Sequence, residues 1–224
     1  MQYTVIITAG GIGKRMQSNI PKQFLVLDEL PVLMHTISVF YNWDNDAQII
    51  VTLPKDWWTY WEELIQKYNF EIPYTLIAGG VERYDSIKNA LVEAKGAYIA
   101  VHDGVRPLID SDTITRVVEL AKQKGSAIPV MSLKESLRKG TVNRNSARNR
   151  YEYFTVQTPQ CFRKEILHNA YQQPFTPNVT DDSYLVEQIG QPIFLVEGSE
   201  FNLKITTPVD MKIAELFLSL RKSQ

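Results

Sequence analysis

Short runs of β-branched and apolar residues recur through this chain at 5–8, 48–53, 74–77, 97–102, 127–130 and 193–196. Between them, at 32–40, 57–68, 85–94, 112–124, 164–172 and 181–189, apolar residues return with a helical period. A strand followed by a helix cannot close a hairpin with the next strand. The chain must cross over, which lays the strands side by side in one mostly parallel sheet with helices against its faces. The pattern therefore predicts an α/β fold, a Rossmann-like twisted sheet flanked by helices. Ser111-Asp112 and Asp210 stand before periodic runs as helix starts. The aromatic group Trp57, Trp58, Tyr60 and Trp61 reads as packing and helix surface.

At 224 residues the chain fits one domain with a substantial core, taken here as residues 1–224. With 44% hydrophobic and 22% charged residues it has the make-up of a folded globular protein. A net charge of −1 provides no general attraction to nucleic acid or to an anionic membrane, so any anion binding must come from local clusters. The single cysteine, Cys161, excludes an internal disulfide and a multi-cysteine zinc site. No segment approaches the roughly 20 apolar residues that span a bilayer, and the N-terminus lacks a basic region leading into a secretory apolar segment. The expectation is a cytoplasmic protein.

The first apolar run ends in Thr8-Ala9-Gly10-Gly11-Ile12-Gly13-Lys14-Arg15, with Pro21-Lys22-Gln23 close behind. Three glycines within four positions let the backbone turn tightly and present several N–H groups to one anion. Lys14, Arg15 and Lys22 add full positive charge, which suits a triphosphate. The spacing is neither a P-loop, since Gly-Lys is followed by Arg15, nor a Gly-x-Gly-x-x-Gly dinucleotide loop. An ordinary strand-to-helix turn with solvated cations is the plainer alternative.

Two further strand ends carry similar chemistry. Ala78-Gly79-Gly80-Val81-Glu82-Arg83 repeats the glycine theme, and Ser86 follows where its hydroxyl and nearby amides can meet a base edge. The run 97–102 leads into Asp103-Gly104-Val105-Arg106-Pro107, where Asp103 can hold a metal or a ribose hydroxyl and Arg106 can face phosphate. Ligands of open α/β sheets lie beyond the carboxyl ends of the strands, so these loops converge if the first and fourth strands are neighbours. Segment 132–155 breaks the rhythm: it is polar, basic and built around a Gly140–Asn143 turn. It reads as a projecting hairpin, which needs a surface to pack on, and a partner subunit would supply one.

In order along the chain stand Ala-Gly-Gly-x-Gly-x-Arg-Met, Pro-Lys-Gln, Gly-Gly-x-x-Arg-x-x-Ser, His-Asp-Gly-x-Arg-Pro, Gln-Thr-Pro-Gln-x-Phe, Thr-Asp-Asp and Glu-Gly-Ser-x-x-Asn-x-Lys-Ile-Thr. This set resembles the 2-C-methyl-D-erythritol 4-phosphate cytidylyltransferase family, across nearly the whole chain. The resemblance implies the sheet of nucleotide-diphospho-sugar transferases and a reaction between CTP and a polyol phosphate, with Mg2+ as cofactor. It also implies a homodimer formed through the 132–155 arm.

Carried over motif by motif, the resemblance gives Ala9, Gly10, Gly11, Gly13 and Lys14 to the triphosphate, and Gly80, Val81 and Ser86 to cytosine. Asp103 and Gly104 would serve ribose and metal, while Arg15, Lys22 and Lys204 would act on the reacting phosphates. Ser136, Arg150 and Lys204, with Arg106 and Thr158 nearby, would hold the acceptor, Arg150 reaching a partner's site. Val81 replaces the acidic residue of many members, which leaves base readout to the backbone, and Ser136 replaces a threonine. The competing expectations are a ribitol-5-phosphate cytidylyltransferase and an inactive nucleotide-binding module.

Overall fold

The computed structural model of the chain describes residues 1–11 and 20–222. The first strand, β1 (Tyr3–Thr8), is followed by a small hairpin, β2 (Val26–Leu27) and β3 (Leu30–Pro31), and by α1 (Val32–Trp43). Next come β4 (Gln48–Leu53), α2 (Trp58–Lys67), β5 (Thr75–Ala78), α3 (Arg83–Glu93) and β6 (Tyr98–Asp103). The middle of the chain forms α4 (Ser111–Lys124), β7 (Ser126–Ser132), the hairpin β8 (Leu137–Gly140) and β9 (Asn145–Arg148), then β10 (Phe154–Val156) and β11 (Gln160–Arg163). It closes with α5 (Lys164–Ala170), α6 (Asp182–Gln188), β12 (Leu195–Glu197) and α7 (Pro208–Lys222).

The large sheet runs β10-β7-β11-β6-β1-β4-β5, with β12 beside β7. Strands β6, β1, β4 and β5 pair in parallel, as the alternation of strand and helix requires. Both faces are covered, and the sequence shows why. Along β1, Val5 and Ile7 enter the core under α1, α2 and α4, whereas Ile6 between them enters the core under α3, α5 and α6. Strand β4 repeats this with Ile49 and Val51 against Ile50, and all six of its residues are buried. Covered strands therefore read as unbroken apolar runs. A third cluster seats α7 through Ala214 on Leu27, Val32, Val105 and Ile205.

Two strands of the large sheet lie where no strand was expected. β11 enters antiparallel between β6 and β7, pairing Cys161 with Ala100 on one side and Ala127 on the other. It is four residues long behind Pro159, too short to display a period. β10 is three exposed residues whose pairing with β7 is non-local. Helix α4 takes its N-cap from Asp110, whose side chain accepts from the Thr113 N–H, one residue before the expected start. The 132–155 segment does form a hairpin: β8 and β9 make their own two-stranded ladder, and Ser132 pairs with Phe154 at its root. Among the described residues no helix is long and apolar enough to cross a membrane.

Candidate active site

Parallel register brings the ends of β1, β4, β5 and β6 to one edge. Thr8 lies opposite both Thr52 and Asp103, and Leu53 lies opposite Ala78. Backbone hydrogen bonds extend the pairing into the loops: Ala9 N–H to Thr52, Gly79 N–H to Leu53 and Gly104 N–H to Thr8, all at 2.9–3.0 Å. Gly104 is needed there, because a Cβ would stand 3.0 Å from the Thr8 carbonyl oxygen and 3.1 Å from Leu33. It packs beneath the loop and is not among the residues lining the cleft.

That cleft, about 330 Å³, is lined by Ala9, Gly10, Gly11, Lys22, Gly80, Val81, Ser86, Asp103 and Lys204 among others. Gly13, Lys14 and Arg15 lie outside the described residues. A Cβ at Gly80 would meet that of Asp85 at 2.1 Å, so only glycine lets this loop fold over the start of α3. The Ser86 hydroxyl accepts from the Gly80 N–H at 2.9 Å and donates to the Glu82 carbonyl at 3.1 Å, fixing the loop's shape. Val81 projects from it 95% exposed.

An adjoining cleft of about 290 Å³ is lined by Arg106, Val156, Gln157, Thr158, Gln160, Thr180 and Asp181. The two clefts share Arg83, Asp103 and Lys204. Asp103 is the junction. Its Oδ2 takes Arg106 Nε and Lys204 Nζ, each at 3.0 Å, and its Oδ1 faces Arg83 Nε at 3.8 Å. Burial alone would raise the Asp103 carboxyl, but Arg83, Lys204 and Arg106 outweigh it and hold the group well below the ordinary carboxylate range. Arg83 is itself seated by the fully buried Asp182 at 2.7 Å, which also accepts from the Tyr171 hydroxyl.

Lys204 does not sit in a sheet ladder; its loop meets the fold through the Ile205 N–H to Val105 at 2.9 Å. Asn202 fixes the rest, donating to the Thr158 carbonyl at 2.7 Å while its own carbonyl accepts from Arg106 at 2.7 Å. Lys22 reaches the same loop, donating to the Ile205 carbonyl at 2.9 Å. The turn that carries it is anchored twice. Gln23 donates to the Ala9 carbonyl at 2.7 Å, and Phe24 is packed within 6.0 Å of the rings of Trp57, Tyr60 and Trp61. The packing expected of those aromatics thus orients a cation.

Behind Asp103 sits His102, fully buried. The Thr158 hydroxyl bonds its Nδ1 at 3.0 Å and accepts the Asp103 N–H at 3.1 Å, while Nε2 meets the Arg106 carbonyl. Burial pushes the His102 pKa down to about 4, against a smaller upward pull from the Arg106 carbonyl. The unfolded chain takes up this proton near pH 6.5 and the folded protein resists it to about pH 4. Stability is therefore full above that window and falls as pH drops through it, with a slope of at most about 1.4 kcal/mol per pH unit. Asp103, whose pKa is lowered, acts in the same sense only below about pH 4. Urea titrations at pH 7.5, 6 and 5 check this: a slope equal in wild type and His102→Asn would remove His102 from the effect.

Ser136 and Arg150 stand apart on the arm and line neither cleft. Ser136 is exposed, and Arg150 donates to the Lys134 carbonyl and lies over the Tyr151 ring at 5.1 Å. Gln157, Tyr171 and Asp182 escaped the sequence reading of the site, although Asp182 lies within the Thr-Asp-Asp motif. Its role depends on meeting Arg83 across 99 positions.

Residues 3–220 match the family profile described as 2-C-methyl-D-erythritol 4-phosphate cytidylyltransferase. A protein of that name from Bacteroides thetaiotaomicron is 46% identical over 220 residues, covering 97% of this chain and 100% of the relative. One from Porphyromonas gingivalis is 45% identical, covering 96% of each. The crystal structure of the Thermus thermophilus protein of the same name superposes with a TM-score of 0.77 at 29% identity, covering 98% of this chain and 100% of that one.

Proposed function

This chain belongs to the 2-C-methyl-D-erythritol 4-phosphate cytidylyltransferase family, and we propose on that footing how its two clefts divide the reaction. The enzyme joins CTP to 2-C-methyl-D-erythritol 4-phosphate, giving 4-diphosphocytidyl-2-C-methyl-D-erythritol and pyrophosphate in isoprenoid precursor synthesis. CTP takes the glycine-lined cleft, with Ala9, Gly10 and Gly11 around the triphosphate and the Gly80–Val81 backbone at the base. The acceptor takes the adjoining cleft at Arg106, Thr158 and Lys204. The observation that carries this assignment is the shared wall: Asp103 and Lys204 border both clefts, where a phosphate of one substrate would meet the α-phosphorus of the other.

The acceptor phosphate attacks the α-phosphorus in line and pyrophosphate leaves. Both reactants are anions, so the protein's task is alignment and neutralisation rather than proton removal. Lys22 and Lys204, with Arg15, gather the crowded phosphates as negative charge builds. Asp103 orients Lys204 and Arg106 through Oδ2. Its Oδ1, with the nearest ion-pair partner at 3.8 Å, suits a magnesium ion, which is commonly held by one or two carboxylates plus phosphate oxygens. When bound, magnesium would supply positive charge that offsets the negative charge of the triphosphate.

We further propose a cytoplasmic homodimer in which the arm brings Ser136 and Arg150 to the partner's acceptor cleft. Two features support it. Neither residue lines the glycine-lined cleft or the acceptor cleft of its own chain, and segment 132–155 carries six cationic side chains against two carboxylates, a net +4 within a chain of net −1. Exposed Tyr151 and Phe154 add apolar area at the arm's root. Sedimentation as a monomer at micromolar concentration would reject the dimer. Pyrophosphate release is expected with CTP, magnesium and 2-C-methyl-D-erythritol 4-phosphate, and not when magnesium is omitted. Release with ribitol 5-phosphate alone, or with neither acceptor, would overturn the assignment.

A further inference from the structure

The acceptor cleft is polar on almost every side. Among the described residues that line it, Val156 is the one purely apolar side chain; all the others carry charge, amide or hydroxyl groups. Val156 ends β10, paired with Val130 on β7, and remains 42% exposed. Its β-branched side chain is stiff, and Thr158 two residues on lines the same cleft.

The acceptor has a matching oddity. Its hydroxyls and phosphate find partners throughout this cleft, but the methyl branch at C2 can accept no hydrogen bond. Set against Thr158, Gln157 or Asp181, that methyl would displace water from polar groups and return nothing. Against Val156 it loses nothing and buries apolar surface. We propose that Val156 is a specificity-determining residue that packs on the branch methyl and so favours the branched acceptor over unbranched polyol phosphates. This rests on the acceptor occupying the cleft at Arg106, Thr158 and Lys204.

One methyl group in an apolar contact separates substrates by roughly 10- to 200-fold. The partial exposure of Val156 puts the expected effect at the low end. The test uses Val156→Thr, which keeps the side-chain shape and suits a strand while replacing a methyl by a hydroxyl. The kcat/KM ratio of 2-C-methyl-D-erythritol 4-phosphate to D-erythritol 4-phosphate, the same compound without the branch, is expected to fall about tenfold, the loss falling on the branched acceptor. A ratio within twofold of wild type overturns the proposal. So does an equal loss towards both acceptors accompanied by slower sedimentation, which would assign the exposed Val156 to a subunit contact.

Lys204→Ala separates this inference from the cleft assignment beneath it, because Lys204 is 44% exposed and can be removed without opening the core. If Lys204→Ala raises the KM of both acceptors while Val156→Thr leaves the ratio unchanged, the cleft assignment stands and Val156 has no part in selection. If neither variant affects the acceptors, the cleft assignment falls and the inference with it.

Discussion

Asp103→Asn is expected to lower the rate of pyrophosphate release by about 10³-fold, the upper range for removing one preorganised charge from a reacting phosphate site. The carboxylate holds Arg106 and Lys204 at 3.0 Å and faces Arg83 at 3.8 Å. An amide keeps the shape and loses the charge, so all three cations lose a common counter-charge and Lys204 loses its orientation. Stability should fall too. Breaking a buried ion pair costs about 3–5 kcal/mol, because it leaves an uncompensated charge. The expected loss lies at or below the lower end of that range, because Lys204 is 44% and Arg83 32% exposed and water takes over part of the pairing. Single-turnover pyrophosphate release and urea denaturation measure the two effects separately. Turnover within tenfold of wild type would remove Asp103 from the chemistry, and an unchanged denaturation midpoint would show that the cations hold their places without it.

The unequal legibility of this site in the sequence has a physical origin. Asp103, Gly80 and the Ala9–Gly11 loop were readable because each ends an apolar strand, and parallel pairing carries strand ends to one edge whatever lies between them. Lys204 was harder: it lies in no ladder, and its place depends on Asn202 and Ile205 bonding to residues 44 and 100 positions away. The Asp182–Arg83 pair and Gln157 are of the same kind, polar contacts made by tertiary packing with no local period to announce them. Strand β11 stayed hidden for a related reason. Three of its four residues, Gln160, Cys161 and Phe162, are buried between β6 and β7, not by any amphipathic pattern of their own. The motif set that marks the family reached Asp182 and Asn202 as identities, and only the fold assigned them work.

Lys22→Ala tests whether a cation on a separately anchored turn acts on the reacting phosphates. The turn at Lys22–Phe24 is one turn of 3-10 helix, too small to hold itself. It is fixed by Gln23 on the Ala9 carbonyl and by Phe24, 2% exposed, among Trp57, Tyr60 and Trp61. Neither anchor involves the lysine ammonium, so the variant should fold with the turn in place. Lys22 Nζ does bond the Ile205 carbonyl at 2.9 Å, and that link to the Lys204 loop would be lost. Ile205 is fully buried and lines neither cleft, so its carbonyl would lose a partner inside the fold, at a stability cost of about 1–3 kcal/mol. The kinetic cost should be larger. An ammonium beside the α-phosphate helps most when charge crowds in the transition state, so kcat should fall about 10²- to 10³-fold with a smaller change in the KM for CTP. If instead the KM rises and kcat holds, Lys22 binds ground and transition states alike and serves only to capture the triphosphate. If both hold, the anchored turn presents Lys22 to the Lys204 loop and not to substrate.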